Sequence, residues 1–337
     1  MSAALYRRAG PADAGAIAAM AAKLAAHQGD GPSALTAAHV LRDGFGPNPA
    51  FAALVAEQRG EAIGYALWHS EYDTDHMRPS AYLIDLYVEP AWRGRGVGRA
   101  LMAASAAEAA GRGAAMLSWT VKRGNEAARR FYRRLGREQP DLFYGVAAEA
   151  KLDALAAQAP PAGVRLREAR REDADLLAAF IADLLVVTGD GPPPRADIAA
   201  ALARDGFGDA RRFHTVVAEG DGSLLGHALF WPAYDSEHAV RGSFLSDLYV
   251  VAPARRQGVA LALMGELARR TRAAGGAYAY WQIWEKNAPA IAFYRRFAAE
   301  DRTVMPCVAE GEAFTALIAS APALTNGRGA GIPGDGR

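Results

Sequence analysis

Apolar residues recur along the first part of the chain at two spacings, one typical of helices and one typical of strands. Ile17, Met20 and Leu24 repeat at intervals of three and four residues, which predicts an amphipathic helix after a short opening strand. Two β-favouring stretches, 51–56 and 62–69, then predict an antiparallel hairpin with a tight turn between them.

The pattern continues as strand, loop, helix, strand, helix and strand. An apolar strand over 82–88 is followed by a loop rich in glycine and arginine and by a helix that ends at Gly111. A strand around Trp119, a short helix with an aromatic pair and a last strand near 142–146 complete the unit. This order predicts a mixed α/β unit with a central sheet flanked by helices.

The whole pattern occurs twice. The segment LIDLYVEPAWRGRGVGRALM at 83–102 recurs as LSDLYVVAPARRQGVALALM at 245–264. Further pairs keep the same offset: Trp119 with Trp281, Asn125 with Asn287, and Phe131-Tyr132 with Phe293-Tyr294. A register of this length indicates a duplication. The predicted fold class is therefore α/β, of mixed α+β type, with two tandem domains.

The duplication also predicts the domain boundaries. We expect an N-terminal domain over 1–158, a proline-containing linker over 159–163 and a C-terminal domain over 164–320. The remaining segment, 321–337, is rich in glycine and is expected to be a flexible tail.

Composition narrows the class of partner. The 337 residues carry 38 basic and 37 acidic side chains, a balance that predicts neither nucleic-acid nor membrane-surface binding. We expect no membrane helix and no signal peptide, because apolar runs are short and charged residues interrupt them. The single cysteine, Cys307, fits a reducing, cytoplasmic compartment, and no Cys/His spacing predicts a metal site.

The loop after the strand 82–88 has the composition of an anion site. It reads Arg93-Gly94-Arg95-Gly96-Val97-Gly98 and joins a strand end to a helix start. Glycine lets the backbone approach a ligand, and a helix start presents unpaired N–H groups and a positive dipole end, which together suit a pyrophosphate. The second copy reads Arg255-Arg256-Gln257-Gly258-Val259-Ala260. A basic helix start that merely faces solvent is the alternative interpretation.

These motifs resemble the GNAT superfamily of N-acetyltransferases. Arg-x-x-Gly-x-Gly/Ala after a strand ending in LYV is similar to that family's acetyl-CoA motif. The segment from Trp119 to Gly136 is similar to its W-x-V…N-x-x-A-x-x-F-Y-x-x-L-G stretch, and most of it repeats in the second copy. The resemblance implies acetyl-CoA as the cofactor and an amine as the acetyl acceptor, with no metal.

The resemblance also implies roles for single residues. Tyr132 and Tyr294 would protonate the leaving thiolate. The implied cofactor-binding residues are Leu86, Tyr87 and Val88, Leu248, Tyr249 and Val250, the loops 93–98 and 255–260, and Asn125 and Asn287. The residues alone leave two alternatives open. Each asparagine can be the N-cap of the helix that follows it, and each tyrosine can be an ordinary core aromatic.

Within the superfamily, the diamine/polyamine (spermidine/spermine-like) branch is most similar. The segment Leu41-Arg42-Asp43-Gly44-Phe45-Gly46 resembles that branch's L-x-x-DGFG stretch. Asp73 and Asp235 stand where the branch has an acidic loop, so the resemblance assigns them to substrate binding.

Asp85 and Asp247 precede the LYV of each copy, as an aspartate does in that branch, and are the remaining catalytic candidates. The branch carries a glutamate just before this aspartate, whereas this chain has Ile84 and Ser246. The general base is therefore open between the aspartates, a water chain and solvent.

The function expected from the sequence is acetyl-CoA-dependent N-acetylation of a primary amine of a small molecule, with a polyamine or diamine as the leading hypothesis. Another amine (an aminoglycoside, an amino acid or a protein N-terminus) is one alternative. An acyl-CoA-binding sensor or scaffold with one or both halves inactive is the other. Because the resemblance to this branch implies a dimeric enzyme, we also expect an intramolecular pseudo-dimer of the two halves.

Overall fold

The structure is a computed structural model that describes residues 4–29, 31–188 and 191–325. The first copy contains β1 (Leu5–Arg8), α1 (Ala14–Gln28), α2 (Ala37–Gly44), β2 (Ala52–Gln58), β3 (Glu61–Asp73), β4 (Arg78–Val88), α3 (Val97–Gly111), β5 (Met116–Lys122), α4 (Glu126–Tyr132), β6 (Arg137–Glu138), β7 (Leu142–Ala148) and α5 (Glu149–Ala156). The second copy contains β8 (Arg165–Glu168), α6 (Ala174–Thr188), α7 (Arg195–Asp205), β9 (His214–Gly220), β10 (Ser223–Asp235), β11 (Val240–Val250), α8 (Val259–Ala273), β12 (Tyr278–Trp284), α9 (Ala288–Tyr294), β13 (Ala299–Asp301), β14 (Val304–Glu310) and α10 (Gly311–Ala319). The predicted α/β class and its repeat are confirmed. Helices α2 and α7, which end at the Asp-Gly-Phe-Gly segments, were not predicted.

Two seven-stranded mixed sheets organise the molecule, and the copies exchange their last strands. The first sheet has the order β1-β2-β3-β4-β5-β14-β6 and the second has the order β13-β7-β12-β11-β10-β9-β8. Strand β7 pairs antiparallel with β12, and β14 pairs antiparallel with β5. Each copy therefore supplies the strand that completes the other copy's sheet.

The exchange extends into both hydrophobic cores. Phe143 and Leu152 of the first copy are buried in the core beneath the second sheet, while Met305 and Phe314 of the second copy are buried beneath the first. Gly145 on β7 faces an indole, because a Cβ there would lie 2.5 Å from Nε1 of Trp281. The packing units are thus not the same as the sequence copies 1–158 and 164–320.

Strands β4 and β5 run parallel but pair over only a short stretch, Ala81–Leu83 with Leu117–Trp119. A register shift in the β3–β4 ladder falls beside Ile84. Beyond it the end of β4 has no partner on the β5 side, so the sheet is splayed there. This opening is where β4 leads into the glycine- and arginine-rich loop.

The segment after α10 stays in contact with the first copy. The backbone N–H of Thr325 donates to the carbonyl of Tyr6 at 2.8 Å, and Leu324 packs against the first core. Residues 321–325, where the predicted tail begins, therefore contact the first copy, and 326–337 lie outside the described residues. Among the residues that the structure describes, no helix is long and apolar enough to cross a membrane.

Candidate functional site

The loop at 93–98 has the backbone of an anion site. Gly94 and Gly96 have φ angles of 73° and 82°, and Gly96 is the residue that precedes the first turn of α3. The guanidinium of Arg93 folds back, with Nε donating to the carbonyl of Val88 at 2.9 Å, which ties the loop to the end of β4. The first N–H groups of a 15-residue helix therefore point out of this loop.

The loop at 255–260 repeats that conformation despite its different residues. Gly258 has φ 86°, and Arg255 Nε donates to the carbonyl of Val250 at 2.9 Å. Arg256 takes the place of Gly94 and adopts φ 61°. A left-handed conformation costs a non-glycine residue roughly 1–2 kcal/mol, so the second loop keeps the shape at an energetic cost.

A cavity of about 830 Å³ runs from the first loop into the space between the two sheets. Its lining from the first copy includes most of the loop, Tyr82 and 84–88 on β4, and Asn125, Phe131 and Tyr132. The loop Tyr234–Glu237 of the second copy closes the far side. The volume lies within the range of small-molecule sites, roughly 300–1,000 Å³.

Asp85 is buried beside this cavity and is held from both copies. The hydroxyl of Tyr65 donates to Oδ2 at 2.9 Å, and the hydroxyl of Ser236, from the second copy, donates to Oδ1 at 2.8 Å. Burial raises the pKa of Asp85 to about 6, although both hydroxyl donors oppose that rise. The result is a carboxyl group that loses its proton just below neutral pH.

Asp247, the counterpart of Asp85, has a different environment. Thr74, from the first copy, and Ser246 both donate to Oδ1, at 2.9 and 3.0 Å. Oδ2 is buried and has no hydrogen-bond partner among the described residues. The counterpart of Tyr65 is His227, a shorter side chain, and both of its buried ring nitrogens also lack a partner within the described ranges.

Tyr132 and Tyr294 occupy equivalent places at the ends of α4 and α9. The Tyr132 ring packs on Trp119 at 5.3 Å, and the Tyr294 ring packs on Trp281 at 4.8 Å. Burial raises the pKa of each phenol, with a smaller contribution from the nearby strand aspartate in each copy. The structure therefore brings each predicted tyrosine within electrostatic reach of the strand aspartate of the same copy.

Asn125 and Asn287 cap the helices that follow them. Oδ1 of Asn125 accepts from the N–H of Ala128 at 3.0 Å, and Oδ1 of Asn287 accepts from Ala290 at 3.1 Å. The capping alternative is confirmed for both. Asn125 also lines the cavity, so its contact with a cofactor stays a prediction.

Comparison with known proteins decides the family. The sequence profile of the Acetyltransferase (GNAT) family matches residues 24–136 and 180–299. The chain belongs to this family.

Two curated proteins are similar to part of this chain. Thialysine N-epsilon-acetyltransferase of Sus scrofa is 34% identical over 145 residues, which cover 40% of this chain and 85% of the relative. Spermidine/spermine N(1)-acetyltransferase-like protein 1 of Homo sapiens is 39% identical over 75 residues, 20% of this chain and 11% of the relative.

Two solved structures share the fold along most of the chain. A GCN5-related N-acetyltransferase from Sphaerobacter thermophilus has a TM-score of 0.52 at 22% identity, and covers 91% of this chain and 95% of its own. A tandem GNAT protein from the clavulanic acid biosynthesis pathway, solved without AcCoA, has a TM-score of 0.50 at 18% identity. It covers 91% of this chain and 98% of its own. At these identities the likeness concerns the fold alone.

The two loop aspartates of this GNAT chain lie beside the opposite copy's site. Asp235 is half-buried, lines the cavity of the first copy and accepts from His238 Nδ1 at 2.7 Å. Asp73 is buried and accepts from Arg78 Nε at 2.8 Å, and its neighbour Thr74 contacts Asp247. A role for either carboxylate in acceptor binding stays a prediction.

Sequence reasoning missed the tyrosines of the inner cavity wall. Tyr144, Tyr278 and Tyr280 stand on neighbouring strands of the second sheet and line the cavity beside Tyr82. A signal was available, because Tyr278 and Tyr280 alternate along β12 where the first copy has Met116 and Ser118. That these tyrosines line the site is evident only from the structure, in which the two sheets face each other.

Proposed function

We propose that the chain transfers the acetyl group of acetyl-CoA to a primary amine of a small molecule at the site of the first copy. The observation that carries this proposal is that one cavity joins the glycine- and arginine-rich loop 93–98, called the phosphate-type loop below, to Asp85 and Tyr132. The proposed mechanism is direct attack of the amine on the thioester of acetyl-CoA, with both substrates bound in this cavity.

The residues present fit the cofactor. A Cβ placed on Gly94 or Gly96 would meet no atom within 4 Å, so the loop surface is open to a ligand. Its outward N–H groups would hold the pyrophosphate, and the unpaired edge of β4 at Leu86–Val88 would hydrogen-bond the pantetheine amides. Bound acetyl-CoA supplies a thioester as the acetyl donor. The loop 255–260 and the edge 248–250 are the equivalent candidates in the second copy.

Asp85 and Tyr132 suit the two proton transfers. An amine near pH 7 is mostly ammonium and must lose a proton before it attacks. We assign that proton to Asp85, directly or through a water molecule, because its pKa of about 6 lies near neutral pH. We assign proton donation to the departing thiolate to Tyr132, because its phenol is protonated near pH 7 and lines the same cavity as Asp85. Asp247 and Tyr294 hold the same positions in the second copy.

The cavity favours a cationic acceptor. Asp235 and Glu237 contribute carboxylates, and tyrosine rings supply faces that attract ammonium groups. Relatives of this chain are named for thialysine and for spermidine/spermine, which supports a small polyamine, diamine or amino-acid side-chain amine. Aminoglycosides and protein N-termini are the other acceptor classes.

The test is free-thiol release from acetyl-CoA across a panel of amines, with acetylated products identified by mass. The proposal predicts release that depends on an added amine and falls at least tenfold in Asp85→Asn, because the carboxylate that takes the proton is lost. The matched variant is Asp247→Asn. Tight acetyl-CoA binding without turnover on any amine would instead support a sensor or scaffold.

A further inference from the structure

A carboxylate that the proposed reaction does not use lies on the inner face of the first sheet. Glu71, on β3, is half-buried, and the hydroxyl of Ser118 donates to its Oε2 at 3.1 Å. No described cationic side chain forms an ion pair with it, and burial raises its pKa to about 7. The counterpart in the second copy is Ala233, so this carboxylate breaks the internal symmetry.

Tyr82 and the three tyrosines of the inner cavity wall lie near this carboxylate. The charge of Glu71 contributes to the raised pKa of Tyr82, Tyr144, Tyr278 and Tyr280, which places all four rings within its electrostatic reach. The same four rings line the cavity. The Tyr144 and Tyr280 centroids lie 5.7 Å apart, and those of Tyr278 and Tyr280 lie 5.6 Å apart. Glu71 therefore stands behind an aromatic wall at the inner end of the cavity.

Strand geometry gives the distance from Glu71 to the reacting centre. Ser118, which contacts Glu71, pairs with Tyr82 in the β4–β5 ladder. Tyr82 precedes Asp85 by three residues on β4, and a strand rises about 3.3 Å per residue. The Ser118 contact therefore lies roughly 10 Å along the strand from Asp85, on the side away from the phosphate-type loop.

We propose that Glu71 is a specificity-determining residue whose negative charge, acting through the tyrosine wall, favours the distal ammonium group of an acceptor with two cationic ends, while the other amine reacts beside Asp85. The proposal rests on the proposed function of the same cavity. A buried carboxyl without a counter-ion gains from an incoming ammonium, and tyrosine faces stabilise the same charge. The expected acceptors are linear diamines or polyamines whose two cationic groups are about 10 Å apart.

The test compares a diamine of that length with the monoamine that lacks its second amino group, in wild type and in Glu71→Gln. Loss of the negative charge behind the tyrosine wall predicts a KM for the diamine that rises about tenfold. We expect its kcat to change less than about twofold, because the reacting amine remains at Asp85. The KM for the monoamine is expected to stay unchanged. Glu61→Gln, at an exposed site, is the control.

A second measurement separates this proposal from the proposed function. Calorimetry of diamine binding to the CoA-loaded protein reports on Glu71 even if no amine is acetylated, and weaker binding to Glu71→Gln would support the subsite. Equal affinity of both proteins for the diamine, or no diamine binding at all, would overturn it. An equal rise in both KM values with a lower Tm would also overturn it, since that result means a structural role at the sheet interface.

Discussion

At the scale of single residues, the two strand aspartates differ in how their oxygens are satisfied. Both oxygens of Asp85 accept hydroxyl donors, whereas Oδ2 of Asp247 lacks a partner within the described part of the chain. The difference traces to one substitution between the copies, Tyr65 against His227. Buried polar atoms without partners cost about 1–3 kcal/mol, so we expect the second site to be the less stable of the two.

Exchange of these two residues tests that account. His227→Tyr is expected to stabilise the protein by about 1–2 kcal/mol, because the phenol reaches Oδ2 of Asp247 and a buried imidazole disappears. Tyr65→His is the matched variant and is expected to destabilise by a similar amount. Denaturant unfolding measures both. If His227→Tyr lowers the free energy of unfolding, the interpretation of the Asp247 site is wrong.

The pH dependence of activity tests the assignment of Asp85 as base. Its pKa is raised to about 6 in the fold, so activity should increase as pH rises through 6 and the carboxyl ionises. Ser236→Ala removes a donor that favours the ionised form, and the acid limb of kcat/KM should move to higher pH. If the acid limb does not move, the ionisation that limits activity is not that of the carboxyl group bound by Ser236. Ser33→Ala, in a loop of the first copy, serves as the control.

Little of this site could be predicted from one copy of the sequence. Motif spacing and the family resemblance were enough to select the loop at 93–98, Asp85 and Tyr132 as candidates, because these residues are local to one strand–loop–helix unit and the helix after it. Ser236 lies in the other copy, and its contact with Asp85 depends on how two sheets face each other. No local sequence pattern shows that these two residues, which are far apart along the chain, are in contact in the fold.

At the scale of elements, periodicity predicted the strands and helices but not the partners of the last strands. Strands β7 and β14 have similar apolar patterns, so either is compatible with either sheet. Residues 139–141 decide between the two sheets, because they connect β6 in the first sheet to β7 in the second. Helices α2 and α7 were missed because glycines at their ends resemble loop signals.

Cleavage of the linker tests the strand exchange. A protease site placed within 159–163 should leave both fragments bound to each other after cleavage, because β7 and β14 each sit inside the other fragment's sheet. Gel filtration under native conditions should show one species near the intact mass of 35.6 kDa. Two separated fragments would contradict the exchange.

At the scale of the whole molecule, the duplication has produced two unequal sites. The first copy has glycine in its phosphate-type loop, a fully paired Asp85, and Glu71 behind the tyrosine wall of its cavity. The second copy has Arg256 in the left-handed conformation, a partly unpaired Asp247 and Ala233. We therefore expect the first copy to carry most of the activity.

The matched pair Tyr132→Phe and Tyr294→Phe tests this central claim most directly, with free-thiol release from acetyl-CoA as the measurement and a diamine as the acceptor. We expect amine-dependent release by the wild type, a loss of tenfold or more in Tyr132→Phe and near wild-type turnover in Tyr294→Phe. Full activity of Tyr132→Phe, or release that no amine stimulates, would contradict acetyl transfer at the first site.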